Sequence, residues 1–400
     1  MNKRILSAIV LTGMIATSSA FASRARINVM GTGDAGQFLQ GGSFIYDDAY
    51  NMFYNPAYVN DFKNWVTIEK RGVGATNEGG FVTSFMNMNV GFFFNRTDAF
   101  NVPFNTVTTG AFSTTTGAQD GVRPIDLIIG GDAGVKWGLG LSYANGSGGT
   151  LTQPGGLFTG TATKASSLTA RAGVSVADFE PFVAFRIIGK EEDKNEEPGR
   201  TLKNEESDMQ AGLKYHYGEW TPYAAYRILK GEKSGSATAA NNGDTYEANS
   251  MAVGLARNSK IGENTRMIYS VAFNRLKVTD YRALNTAVKQ DAGRTVIPVD
   301  LSLESDLSGW FTIRGGLQYR LMDRTSGINT SSSTPSILGS TTTAVIGTQA
   351  DATTARIGGT IHAGKADVDF SFGNSTNGAD GANIGFDSQT FTNVSLTYRW

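Results

Sequence analysis

Thr392-Asn393-Val394-Ser395-Leu396-Thr397-Tyr398-Arg399-Trp400 alternates polar and apolar side chains down to its last residue. Val394, Leu396, Tyr398 and Trp400 fall on one face, and Asn393, Ser395, Thr397 and Arg399 on the other. A period of two is that of a β-strand with one face in an apolar medium and one in a polar medium. Termini of soluble domains usually fray, so this ending is expected to be tied into a sheet.

The same pattern recurs along the chain. Val135, Trp137, Leu139, Leu141 and Tyr143 alternate with Lys136, Gly138, Gly140 and Ser142. Met209 to Tyr217, Met267 to Phe273, Phe311 to Tyr319 and Val368 to Phe372 repeat it. Each segment is about ten residues, the length a tilted strand needs to cross a bilayer. The connections alternate in length. Short ones lie near Gly131-Asp132, Ala177-Asp178, Gly218-Glu219, Lys260 to Gly262, Asp306 to Ser308 and Ala363 to Lys365. Long polar ones cover Asn101 to Gly121, Asn145 to Lys164, Lys190 to Glu206, Gly231 to Asp244, Thr279 to Gly293, Asp323 to Ala350 and Asn374 to Gly385. A sandwich has no reason to sort its loops this way, whereas an up-and-down transmembrane barrel does. The expected fold is therefore an all-β, antiparallel transmembrane barrel. Counting back from Trp400 gives about fourteen strands, and the hairpin Trp65 to Arg71 with Gly80 to Phe85 raises the favoured count to about sixteen.

Composition agrees. The 400 residues include 49 Gly, 9 Pro and no Cys, which is β-rich and free of thiols that would cross-link in an oxidising compartment. A net charge of −1 shows no basic excess for nucleic acid. Lys3 and Arg4, the apolar run Ile5 to Ala16 and the small-x-small site Ala20-Phe21-Ala22 read as a secretory signal over residues 1–22. Residues 23–62 then precede a barrel over residues 63–400.

The closing strand, with Tyr398 and Trp400, resembles the carboxyl-terminal signature of bacterial outer-membrane β-barrels. That resemblance implies recognition by the barrel-assembly machinery and a setting in outer-membrane lipid and lipopolysaccharide. Within residues 23–62, Asp47-Asp48-Ala49 followed by Asn55-Pro56-Ala57 resembles the pre-barrel motif of the FadL family of transporters for hydrophobic compounds. In that family the segment is a hatch inside the barrel. By that resemblance Asp48, Ala49, Asn55, Pro56 and Ala57 are hatch residues, with Pro56 presetting φ at the exit turn; the alternative is a turn packed on the rim. Gly31-Thr32-Gly33-Asp34-Ala35-Gly36 has the letters of a dinucleotide fingerprint but lacks the βαβ unit that gives it meaning, so it reads as a glycine-rich lead-in.

Alternation assigns the polar faces inward. Lys136, Arg171, Arg186, Lys214, Arg227, Arg266, Arg314, Arg320 and Arg356 are expected to line the lumen, with Arg399 near its end. Fewer inward acids are expected: Asp300, Glu304, Asp367 and Asp369. Such a lumen would concentrate anions; alternatively the arginines pair with acids, including Asp34, Asp47, Asp48 and Asp61 if the leading segment lies inside. The inward face reads as mostly Gly, Ser, Thr and Arg, without an apolar pocket.

No catalytic constellation is visible, so no enzymatic activity is expected. His216 and His362 stand near strand ends outside any metal motif, and no metal or cofactor is expected. The acidic stretch Glu191 to Glu197 lacks calcium-loop spacing and reads as a solvated loop. Ser331 to Thr334 reads as exposed surface for phage or other partners. The function expected is a porin-like channel passing small hydrophilic solutes, with FadL-like transport of hydrophobic compounds and a structural or adhesive surface barrel as alternatives. A homo-oligomer fits the first.

Overall fold

A computed structural model of the chain describes residues 23–31, 42–71, 77–96, 123–152, 159–195, 201–234, 244–282, 288–327, 347–348, 353–376 and 393–400. The signal expected over residues 1–22, most of the Gly31 to Gly36 run, and Ser331 to Thr334 fall outside these.

Sixteen antiparallel strands close into one barrel. They are β1 (Trp65–Arg71), β2 (Glu78–Phe85), β3 (Met88–Phe94), β4 (Ile125–Asp132), β5 (Lys136–Thr152), β6 (Thr159–Ser175), β7 (Phe179–Asn195), β8 (Thr201–Tyr215), β9 (Trp220–Ser234), β10 (Asp244–Ile261), β11 (Thr265–Arg282), β12 (Val288–Ser308), β13 (Phe311–Gly327), β15 (Thr353–Ala363), β16 (Ala366–Thr376) and β17 (Asn393–Arg399). The two-residue β14 (Gly347–Thr348) only extends β13, whose main partner is β15. The alternating closing segment zips β17 onto β1, from Trp65 opposite Arg399 to Arg71 opposite Asn393.

The hairpin of β1 and β2 is formed, which gives the favoured count of sixteen. Met86 and Asn87 turn the chain into β3 with φ of 49° and 63°, the left-handed pair that two-residue hairpin loops use. Among the described residues, the tight turns lie on the rim where β1 begins and β17 ends.

Strand length departs from the uniform ten residues expected. β1 to β4 have 7 or 8 residues and β17 has 7, whereas β5 to β13 have 15 to 21. Much of what reads as long polar loop is thus continued strand, because Thr, Ser and Lys residues alternate as readily in a ladder. Glu191, expected in a solvated loop, is in β7, buried, and accepts from Asn204 Nδ2 at 3.2 Å.

The exterior explains the ten-residue reading. Large apolar side chains point outward along the half of each strand nearest the tight turns, among them Ile68, Leu139, Leu141, Phe185, Met209, Val253, Val271, Leu301, Leu317 and Leu396. On the long strands this belt gives way to exposed charge farther out, as in the pairs Lys190–Glu205 and Lys230–Glu247. The belt, not the strand, has the ten-residue height.

Residues 23–31 and 42–62 lie inside the barrel rather than on its rim. Helix α1 (Arg24–Met30) is capped by the Ser23 hydroxyl, which accepts from Arg26 N at 3.1 Å. Two 3-10 turns follow. Ala49–Phe53 is capped by Asp48, and Pro56–Asn60 by Asn55 with Pro56 at its first position. Proline suits that position because its missing N–H would have no helical partner there. α1 packs on β12, β13 and β15 to β17, and the second turn packs on β3 to β6. The segment therefore bridges the lumen from one wall to another.

The wall is cut to receive it. A Cβ on Gly316 of β13 would stand 1.8 Å from Val29 O, and one on Gly138 of β5 would stand 2.2 Å from the Pro56 carbonyl carbon. Only glycine permits such approach.

Candidate functional site

The site is the interface between this plug and the inner wall. Its aromatic centre is where Phe44 stacks on Tyr223 of β9 (centroids 5.0 Å apart) and Tyr54 meets Phe182 of β7 edge-on (4.9 Å). Phe53 meets Phe93 of β3 at 4.8 Å. Trp65, Val82, Phe93, Ile128, Phe182 and Tyr223 are inward and buried. This corrects the expectation of an inner face made mostly of Gly, Ser, Thr and Arg. Four of these six, Trp65, Val82, Phe93 and Ile128, stand on β1 to β4, which carry none of the basic residues expected in the lumen.

Around that centre the plug is tied to the wall by charge. Arg26, buried, holds Glu304 of β12 at 2.9 Å and Asp48 at 2.8 Å. Arg314 of β13 shares Glu304 at 2.5 Å and reaches Asp369 of β16 at 3.1 Å. The Arg356 guanidinium donates to Asn28 O at 2.9 Å, and the Ser302 hydroxyl to Met30 O at 2.7 Å. Together these fix α1, including its otherwise unsatisfied carboxyl-terminal carbonyls.

A second knot lies near the tight-turn rim. Lys214 Nζ of β8 is 2.6 Å from Asp47 and 3.4 Å from Glu180 of β7, and donates to the Tyr58 hydroxyl at 2.6 Å. His216 Nε2 is 3.0 Å from Glu180. Asp47, Glu180 and His216 place three ligand atoms within 4.8 Å of one another, but the Lys214 ammonium already supplies their countercharge. His362 is bonded to Asp367 at 2.7 Å. Lys136 pairs with Asp61.

Two neighbouring plug carboxylates are driven in opposite directions. Burial pushes Asp48 up to about 6 despite Arg26 and the Tyr50 N–H. Burial also works to raise Asp47, but Lys214 and His216 overcome it and hold the carboxyl well below the usual range. The Asp47 side chain is half exposed, so its charge is partly screened by water.

The nine expected basic residues all stand on inner faces, yet most are matched by acids. Arg171 is 3.2 Å from Asp126, which also takes Arg96. Arg186 pairs with Glu206, and Arg227 Nε donates to Asp208 at 2.9 Å. Arg320 is 3.1 Å from Asp323. Arg266 is exposed near the rim and makes no ion pair among the described residues. The expectation of few inward acids is thus overturned: Glu69, Glu78, Asp126, Glu180, Glu206, Asp208 and Asp323 join the four anticipated. They were missed because several stand on strands whose faces had not been read. Of the hatch motif, Asp48 and Asn55 cap the two turns and Ala49, Pro56 and Ala57 are buried within them. Sequence reasoning missed Arg24 and Arg26; the signal available was a serine cap followed by two arginines leading into Ile27 to Met30.

No family model and no curated protein matches the chain. Among solved structures, CdiB from Acinetobacter baumannii is similar at a TM-score of 0.43 and 9% identity, over 84% of this chain and 60% of that one. The alcaligin outer membrane receptor FauA from Bordetella pertussis gives 0.41 and 8%, over 84% and 66%. The ferric citrate transporter FecA gives 0.42 and 11%, over 83% and 54%. The chain thus spans roughly three fifths of the length of these proteins.

Proposed function

We propose that this chain is an outer-membrane, porin-like channel for small hydrophilic solutes, closed by its amino-terminal plug until that plug moves. A closed barrel girdled by exposed apolar side chains is stable only with that belt in lipid. Export through the signal at residues 1–22 and insertion through the β17 signature belong to this reading.

The observation that carries it is how the plug is held. Its links to the wall include buried ion pairs and single hydrogen bonds. Such contacts specify a position but add little net stability against hydration of the separated partners. A plug held this way has one docked pose, and leaving it also separates Phe44, Phe53 and Tyr54 from the aromatic side chains of the wall, so openings are brief. With the basic side chains matched by acids, their number alone no longer argues for anion preference.

Planar-bilayer recording tests the reading. The wild-type chain should be mostly closed with brief openings, and Arg26→Glu, which sets a third carboxylate beside Asp48 and Glu304, should hold it open. Silence in both would exclude a channel. The aromatic contact of Phe44 and Tyr54 with Phe182 and Tyr223 favours the second reading, FadL-like transport, in which that surface takes an apolar solute once the plug shifts. Binding of a long-chain amphiphile, lost in Phe182→Ser, with silent bilayers would select it. Silence with no binding leaves a structural or adhesive barrel.

A further inference from the structure

We propose that Glu69 and Glu78 form a cation-binding site in the barrel wall, filled in this structure by Arg24 as a tethered ligand and open to guanidinium- or ammonium-type solutes when Arg24 withdraws.

The register sets Glu69 of β1 directly opposite Glu78 of β2. Both side chains face inward and are 1% and 3% exposed. Like charges facing each other across a strand pair repel, and a buried carboxylate without countercharge is costly. Elsewhere the wall answers its own acids, as Arg171 does Asp126 and Arg227 does Asp208. Here the countercharge comes from the plug. Arg24 meets Glu78 with a two-pronged contact, Nε to one oxygen and Nη2 to the other at 2.9 Å. Its backbone N–H donates to Glu69 Oε2 at 3.3 Å. The Tyr50 hydroxyl donates to Glu78 at 3.1 Å, and its ring lies 5.8 Å from the Arg24 guanidinium carbon. Glu69 Oε1 is buried with no hydrogen-bond partner among the described residues, so the pair has an acceptor to spare.

Two carboxylates beside an aromatic face are the chemistry that recognises an organic cation, by forked charge-assisted hydrogen bonds and cation–π attraction. Among the described residues, the wall's own strands bring no cation to this acidic pair. The site stands whether or not solutes pass through the barrel. As a foothold for a passing cation it rests on the plugged-channel reading.

Chemical rescue tests it on the full chain in detergent. Arg24→Ala should melt at a lower temperature than wild type, and millimolar methylguanidinium chloride should restore at least half of the loss. Sodium chloride at equal ionic strength should not. The same addition should do nothing to Arg24→Ala carrying Glu69→Gln and Glu78→Gln. Equal effects of the two salts, rescue that survives both glutamine changes, or no rescue would each overturn the site. If Arg24→Ala does not fold alone, its refolding yield with and without methylguanidinium, read as heat-modifiable gel mobility, gives the same decision. Silent bilayers would sink the channel reading and leave this result intact.

Discussion

Gly315 and Gly316 are neighbours with opposite fates. A Cβ on Gly315 meets nothing within 4 Å, whereas one on Gly316 runs into Val29 O. Gly315→Ala should therefore be silent, and Gly316→Ala should push α1 off the wall at a cost of about 1–3 kcal/mol. Trypsin cleavage at Arg24 and Arg26 should rise only in the second, with the barrel still heat-modifiable. Arg26→Ala leaves Asp48 without its ion-pair partner, although Glu304 keeps Arg314. Losing one partner of a buried pair costs about 3–5 kcal/mol, so undocking should become at least tens of times more frequent, read as trypsin cleavage at Arg24. Asp48 adds a pH dependence. Its docked carboxyl titrates at about 6, above the ordinary value, so the docked plug holds a proton that the undocked plug has released. Docking is helped fully below pH ~4, and that help is lost as pH rises through about 6, by roughly 2–3 kcal/mol at most. Asp47 is shifted the other way and changes charge only below that window. Opening in bilayers should increase between pH 4.5 and 7, and Asp48→Asn should flatten that dependence; an unchanged slope would count against it.

At the scale of elements, β17 carries the closure. It is a seven-residue strand paired on both sides, to β1 and to β16. Its outward Leu396, Tyr398 and Trp400 continue the apolar belt. Removing Trp400, or changing Tyr398 to Asp, should lower the yield of folded barrel in membranes severalfold while leaving folding into detergent micelles less affected. Equal loss in both settings would point to a structural role alone. The 3-10 turn at Pro56 shows a different economy: residues chosen for their backbone preferences set the path of the plug, while Gly138 and Gly130 clear the wall beneath it.

For the whole molecule, the design is a tall polar cylinder standing in a shorter apolar ring. Among the described residues, β5 to β13 run on beyond the belt. Plug and wall are charge-complementary in patches. The cations Arg24 and Arg26 meet wall acids, and Asp47 and Asp61 meet Lys214 and Lys136. Salt should therefore loosen the plug only modestly, because pairs as buried as Arg26–Glu304 are poorly screened. Conductance between 0.1 and 1 M salt should scale with the electrolyte, without a jump in open fraction.

The barrel was legible in the sequence because a strand with lipid on one face and water on the other must alternate, and tight turns must carry residues that tolerate positive φ, such as Asn87 and Gly364. Both are local requirements, written residue by residue, and Val394 to Trp400 state them most plainly. The inward side of each basic residue followed from the same period. What those residues touch did not. Arg26 reaches Glu304 across 278 positions, and Glu69 meets Glu78 only because β1 and β2 pair in one register. Alternation says which way a side chain points, not who stands opposite. Charge pairing, the aromatic contact of Phe44 with Tyr223 and the seating of the plug against Gly138 and Gly316 depend on closure of the sheet, and so only the tertiary structure decided them.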